Sequence, residues 1–238
     1  LELDQKAALK QASAEAAVKS SVGPGCRLGL GTGSTAAFAI EKVAGLYNSG
    51  KLEGLLVFPT SLSTEWACRR FGLPVTTLND PKLKGELDVT IDGADEIDPN
   101  LNLIKGGGGA LLLEKIAARA AKRFVVIADE SKLQPHLGTG FPLPLEVALP
   151  AVSYVLQRLE KLGGEGRVRM GVKKAGPVIT DSGNLLVDVT FEKAIDPLEM
   201  ESNLLRIPGI LETGLFVDFV YEAWIGGLDG NVKLISRT

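Results

Sequence analysis

The chain has one histidine, His136, only two cysteines and no excess of basic charge, and each shortage removes a class of function. One histidine cannot build a His-rich metal centre, so a metal would need an all-carboxylate site of the Mg²⁺ or Mn²⁺ kind. Cys26 and Cys68 stand far apart without C-x-x-C spacing and read as buried free thiols in a reducing compartment. A net charge of -3 and a pI near 5.4 leave no basic surface for the many phosphate contacts of nucleic-acid binding. A small anion is still compatible, because one lysine and a helix N-terminus can hold a phosphate locally. No apolar run approaches the roughly 20 residues of a membrane span, so no membrane partner is expected. The sequence starts at Leu1, not methionine, with a polar amphipathic stretch unlike a signal peptide, and reads as a mature or trimmed form.

What is present suits an ordinary globular protein. A hydrophobic fraction of 45% beside 23% charged residues is enough for a full core without staples. The 238 residues fit one large domain or a large and a small one. Helical patterns are expected at residues 3–20, 34–47, 62–71 and 110–122, with Ser34 or Thr35 near the second N-cap. Apolar strand-like runs are expected at 27–31, 54–58, 74–78, 88–91 and 124–128. Their alternation predicts an α/β fold, a Rossmann-like, mostly parallel sheet with helices on both faces. Beyond Lys132 the texture changes. Phe141-Pro142-Leu143-Pro144 reads as a linker, followed by helices at 151–162 and 195–205 and a strand at 185–190. Strands at 214–220 and 223–225 are expected to return to the main sheet. The expected division is a Rossmann-like catalytic domain of 1–140 with 213–238, and a smaller α+β domain of 141–212.

Gly31-Thr32-Gly33-Ser34-Thr35-Ala36 follows a strand, opens a helix and fits G-x-G-x-x-A, the dinucleotide fingerprint. A dinucleotide site also wants an acid at the end of the next strand, for the ribose hydroxyls. That strand ends in Phe58-Pro59-Thr60-Ser61 instead, and no Walker lysine follows any glycine loop. The turn therefore favours a small anion or sugar hydroxyls over a dinucleotide.

A second cluster begins with Asp92-Gly93-Ala94-Asp95-Glu96, after an apolar strand, where open α/β sheets bind ligands. Taken alone, these aspartates are explained as backbone-capping Asx turns. Lys105-Gly106-Gly107-Gly108-Gly109 is harder to dismiss. Four glycines are entropically expensive to order, and a lysine at their head sets positive charge beside bare N–H donors. Such donors stabilise an oxyanion, where one is worth about 3–4 kcal/mol. Glu114 follows in the early turns of a helix among apolar neighbours. Desolvation there raises a carboxylate pKa toward that of a useful base, while the helix N-terminus opposes the shift.

With these motifs the sequence resembles ribose-5-phosphate isomerase of the A type over nearly its whole length and in family order. Ala128-Asp129-Glu130-Ser131-Lys132, Phe141-Pro142-Leu143-Pro144 and Ile207-Pro208-Gly209 extend the match. The resemblance implies interconversion of ribose 5-phosphate and ribulose 5-phosphate with no metal and no organic cofactor. It implies that Glu114 moves the proton between C1 and C2, that Lys105 stabilises the oxyanion, and that Asp92 and Asp95 assist ring opening. Thr32, Gly33, Ser34, Thr35, Gly93, Ala94, Gly106, Gly107, Gly108 and Lys132 are the implied substrate-binding residues. A homodimer is implied, in cytoplasm or plastid stroma, serving the pentose phosphate pathway or photosynthetic carbon fixation. Two places depart from the bacterial pattern: residues 171–180 are longer, and the turn through Pro59 and Thr64 lacks an aspartate. A dehydrogenase would need an acid where Thr60 stands. A sugar-phosphate sensor would have no use for both Lys105 and Glu114.

Overall fold

A computed structural model of the chain describes residues 2–237; Leu1 and Thr238, the outer ends of the expected catalytic domain, lie outside them. In chain order the first elements are α1 (Glu2–Ser21), β1 (Arg27–Leu30), α2 (Ser34–Asn48), β2 (Leu56–Pro59), α3 (Leu62–Arg70) and β3 (Leu87–Asp92). Two short strands, β4 (Glu96–Ile97) and β5 (Leu103–Ile104), lead to α4 (Leu111–Ala120) and β6 (Ala121–Asp129). There follow β7 (Leu143–Val147), α5 (Val152–Lys161), β8 (Gly164–Val168), β9 (Leu185–Phe191) and α6 (Pro197–Leu205). The chain closes with β10 (Ile210–Thr213), β11 (Leu215–Phe216), β12 (Glu222–Gly226) and β13 (Val232–Ser236).

These elements form two compact units, one of Leu1–Ala94, Leu113–Lys132 and Phe219–Thr238, the other of Asp95–Leu112 and Leu133–Asp218. The first unit holds a six-stranded sheet in the order β13-β12-β6-β3-β1-β2, parallel except for β13. Burial of both faces explains why its central strands read as continuous apolar runs rather than alternating ones. On β3, Val89 and Ile91 enter the core with Ala14, Ala17 and Val18 of α1 and Ala39 and Val43 of α2. Thr90 points the other way, and its hydroxyl donates to the Ala117 carbonyl of α4 at 2.9 Å. Helices thus cover both faces. Cys26 and Cys68 lie in that first core as free thiols, and burial pushes both up to about 11.

The second unit holds a four-stranded antiparallel sheet, β10-β7-β9-β8, and a three-stranded one, β11-β5-β4. Its core gathers Leu143, Leu145 and Val147 of β7, Val155 and Leu159 of α5, and Val187 and Val189 of β9.

Several local expectations need correction. The run at 74–78 makes only an isolated bridge, Val57 to Val75, because Pro74 has no N–H and the chain turns at once into the Asp80 loop. The α4 helix stops at Ala120, and Ala121 and Lys122 are already strand. Pairing of Ala121 with Leu87 overrides the helix propensity of alanine and lysine. The expected linker enters β7 at Leu143 and Pro144, which pair with Val189 and Asp188. Beyond the last β10 pair, at Leu145, the Pro144 carbonyl accepts the Gly214 N–H at 2.7 Å, while the Gly214 carbonyl takes the Lys105 N–H at 2.8 Å, so the missing N–H of Pro144 leaves no acceptor unsatisfied. Of the segment 214–220, only Leu215 and Phe216 form a strand, and it joins β5 rather than the main sheet. The N-cap of α2 is Gly33, with Ser34 and Thr35 next to it as expected. Among the described residues no helix is long and apolar enough to cross a membrane.

Candidate active site

The chain leaves β1 for β2 on one side and returns as β3 on the other, which makes the carboxyl ends of β1 and β3 the switch point where such sheets bind ligands. Asp92 ends β3 and is fully buried; its Oδ1 accepts from the N–H of Thr32 at 3.2 Å and of Gly93 at 2.7 Å. A Cβ on Gly31 would stand 1.8 Å from that oxygen, so the aspartate leaves room for glycine only. Gly33 takes the left-handed side of the map, φ 114°, and caps α2. The turn's N–H groups at the start of α2 have no intrahelical acceptors. Gly33 and Ser34 are exposed and Thr35 is half-buried. The Ser34 hydroxyl accepts from Lys10 Nζ at 3.0 Å, a cation that no motif announced.

The turn after β2 is the buttress of this one. Thr32 Oγ1 lies 2.8 Å from Ser61 Oγ, 2.9 Å from Thr60 Oγ1 and 3.1 Å from Thr64 Oγ1. The Thr64 hydroxyl donates to the Gly31 carbonyl at 2.8 Å, and Ser61 caps α3 by accepting the Thr64 N–H at 3.1 Å. Thr32 therefore has both its N–H and its hydroxyl engaged in holding the turn. The run of hydroxyls at Thr60, Ser61 and Thr64 was the available signal.

Next to β3, the end of β6 carries Asp129, which accepts the Ser131 N–H at 3.0 Å and the Ser131 hydroxyl, and so folds the short turn that ends at half-buried Lys132. Glu114 lies in the first turn of α4 and is only 2% exposed; Lys115 beside it is 5% exposed. The first unit thus carries the glycine turn, Asp92, Gly93, Ala94, Glu114 and Lys132.

The second unit carries Asp95, Lys105 and the glycine run. Lys105 is 3% exposed, its N–H donates to the Gly214 carbonyl at 2.8 Å, and its Nζ stands 5.4 Å from the Phe216 ring centroid. Asp95 accepts the Gly107 N–H at 2.8 Å. Gly106, at φ 105°, has Leu111 and Pro144 so close that a Cβ would meet Leu111 Cδ2 at 2.9 Å. A Cβ on Gly107 would meet Asp95 Oδ1 at 2.8 Å. The run is therefore a packed turn, closed by the Gly109 N–H on the Gly106 carbonyl at 3.0 Å, and not a loose loop. Arg169 and Asp188, which no motif singled out, hold it from the β8–β9 side. Glu96 is spent on structure, accepting from the N–H groups of Gly138 and Gly140 at 2.7 Å each. His136 is exposed in that loop, and among the described residues no three side chains of the His, Cys, Asp or Glu type gather as metal ligands.

The sequence matches the model of a known family, ribose 5-phosphate isomerase A (phosphoriboisomerase A), over residues 56–230. The chain belongs to this family. It is an isomerase by that membership. A ribose-5-phosphate isomerase A of Trichodesmium erythraeum is 46% identical over 237 residues, covering 100% of this chain and 98% of that protein. The ribose 5-phosphate isomerase A structure from Methanocaldococcus jannaschii superposes with a TM-score of 0.89 at 40% identity, over 96% of this chain and 98% of that one. A D-ribose-5-phosphate isomerase solved in complex with phospho-erythronic acid gives 0.91 at 38% identity, over 96% and 98%. The α/β fold with its mostly parallel sheet is the fold of these structures.

Proposed function

We propose that the chain interconverts D-ribose 5-phosphate and D-ribulose 5-phosphate through an enediolate, with Glu114 as the base. Ring opening, assisted by Asp92 and Asp95, exposes the C1 aldehyde. Glu114 takes the proton from C2, the electron pair forms the C1–C2 double bond, and charge develops on O1. Lys105 stabilises that oxyanion. Return of the proton to C1, and a proton shift from O2 to O1, give the ketose. Gly33, Ser34, Thr35, Gly93, Ala94, Gly106, Gly107, Gly108 and Lys132 bind the substrate, with Thr32 shaping the turn beside them. No metal or organic cofactor is required, because the base, the cation and the proton carriers are all side chains of this chain.

The observation that carries this reading is burial of the two charges the reaction needs, Glu114 at 2% and Lys105 at 3% exposed. Charges this far from water act on a developing oxyanion in a low effective dielectric, where they are strongest. The Rossmann-like body of 1–140 with 213–238 is the catalytic domain in this reading, and 141–212 is the accessory one. The protein works as a homodimer in a reducing compartment, cytoplasm or plastid stroma, in the pentose phosphate pathway or carbon fixation. Glu114→Gln should retain the fold and lose at least ~10²-fold in turnover, the lower range for general-base catalysis. Near-normal turnover in steady-state assays of metal-stripped protein would remove Glu114 from the mechanism. Restoration by Mg²⁺ of activity lost to EDTA would count against the metal-free reading.

A further inference from the structure

Arg169 lies on the strand-like segment just after β8 and is mostly buried. Its guanidinium faces Asp188 of β9 along one edge, Nε to Oδ2 at 2.8 Å and Nη2 to Oδ1. The remaining nitrogen, Nη1, donates to two carbonyls of the glycine run at once, Gly106 O at 3.0 Å and Gly107 O at 3.1 Å. This uses all three nitrogens of a planar fork, a geometry lysine cannot reproduce.

The consequence follows from peptide planarity. In a trans peptide the C=O and the N–H point in opposite directions, and no cis bond is present among the described residues. The peptide joining Gly106 to Gly107 is therefore held on both sides, its carbonyl by Arg169 and its N–H by Asp95 at 2.8 Å. The next peptide has its carbonyl on Arg169 as well, so the Gly108 N–H points to the side where Asp95 takes the Gly107 N–H. Successive N–H groups aimed the same way suit an anion, and with the Gly107 N–H taken by the Asp95 carboxylate the Gly108 N–H is the donor of the pair offered to a ligand. Gly108 itself is exposed.

We infer that Arg169, braced by Asp188, is a positioning residue for the isomerase reaction: it turns the carbonyls of Gly106 and Gly107 away so that the Gly108 N–H is presented to the anionic enediolate. The inference rests on the proposed catalytic role of Lys105 and its glycine run. Arg169 touches no reacting atom. Its effect is on the orientation of a donor that would otherwise be free to rotate in a chain of four glycines, where ordering is entropically costly. Preorganised donors contribute because they need no rearrangement when charge develops.

The test compares Arg169→Met, Arg169→Lys and Asp188→Asn with wild type and with Glu114→Gln, all on metal-stripped full chain. Kinetic constants are referred to the fraction folded, measured by circular dichroism and thermal melting. A positioning role predicts that kcat falls at least about tenfold in Arg169→Met, a fraction of the 10²–10³ seen for outright loss of one donor. KM for ribose 5-phosphate should change less than kcat. Arg169→Lys should fail to rescue, and Asp188→Asn, which keeps an acceptor for the guanidinium, should fall in between. Affinity for phospho-erythronic acid, a carboxylate-bearing sugar phosphate, should weaken in step with kcat/KM. Unchanged kcat per folded molecule in Arg169→Met and Asp188→Asn would overturn the inference and leave Arg169 a purely structural residue. Full rescue by Arg169→Lys would also overturn it, since charge alone would then suffice. If Glu114→Gln is inactive while Arg169→Met turns over normally, only this inference fails. If Glu114→Gln is itself fully active, the reading beneath it fails.

Discussion

At both ends of the β1 and β3 pair, an aspartate of β3 reaches across to a backbone N–H of the β1 segment. At the start of the strands Asp88 accepts the Arg27 N–H at 3.0 Å, and the Arg27 guanidinium closes on the same carboxylate at 2.8 Å and 3.2 Å. Lys122 adds a fourth contact at 3.2 Å. At the far end Asp92 accepts the Thr32 and Gly93 N–H groups and is fully buried, whereas Asp88 retains about a third of its side-chain exposure. Arg27 and then its neighbours hold the Asp88 carboxyl well below the usual carboxylate range. A carboxylate held as an anion by the Arg27 N–H, the Arg27 guanidinium and Lys122 is a poor proton acceptor, and Asp88 serves as a brace. Asp92 stands at the edge of the sheet where open α/β folds bind ligands, held by a turn that has no room for any residue but glycine.

The comparison breaks if the two aspartates respond alike. Asp92→Asn keeps the Oδ1 acceptor for both N–H groups, so its melting temperature should change little. Its turnover should fall by at least ~10²-fold if Asp92 carries protons at the sugar oxygens. Asp88→Asn should leave kcat and KM where they are. Steady-state rates on the two variants decide the matter, and normal turnover in Asp92→Asn would make the two ends equivalent.

Gly31→Ala sharpens the contrast from the β1 side. The added methyl must displace the Asp92 carboxylate, a small-to-large change in a filled site worth about 1–3 kcal/mol of destabilisation. Denaturant unfolding should show that loss, and activity should fall with it because the carboxylate moves. A variant of wild-type stability would mean that the turn yields and that Asp92 is not fixed by it.

The strands on which these residues sit were legible because burial on two faces leaves an unmistakable apolar run, as at Val125, Val126 and Ile127. The residues themselves were legible through acids placed after an apolar strand, through Glu114 among apolar neighbours, and through glycine. Gly31 and Gly107 mark places where a carboxylate approaches the backbone, and the sequence displays the glycine without its reason. What stayed hidden was pairing over long separations. The bond of Arg169 to carbonyls more than sixty residues earlier in the chain has no local signature. Nor does the strand at Leu143 and Pro144, where two prolines spoke for a linker and the neighbouring strand β9 decided otherwise. The brace at Arg27 and Asp88 was equally invisible, although both residues lay inside runs correctly read as strands.

The smallest effect expected is on the pH dependence of stability, and it isolates the brace. Asp88 has a folded-state pKa below its ordinary value of 3.8, so its contribution is present above that value and is lost as pH falls through the folded-state pKa. Asp88→Asn should therefore lose only a fraction of about 1 kcal/mol at neutral pH, since the pair is partly solvated and screened. The difference from wild type should shrink toward zero as the pH is lowered well under 3.8, where the native aspartate is protonated too. Glu15, lowered to about 2 first by Lys42 and then by Gln11 and Lys19, adds to the same acid-side fall. The slope of either protein alone is thus uninformative, and thermal melts of both across the acid range must be subtracted. A difference that stayed constant with pH would show that Asp88 acts through its hydrogen bond to the Arg27 N–H, which asparagine can also accept, and not through its charge. The brace would then work as Asp92 does, through backbone donors, and burial alone would separate the two ends.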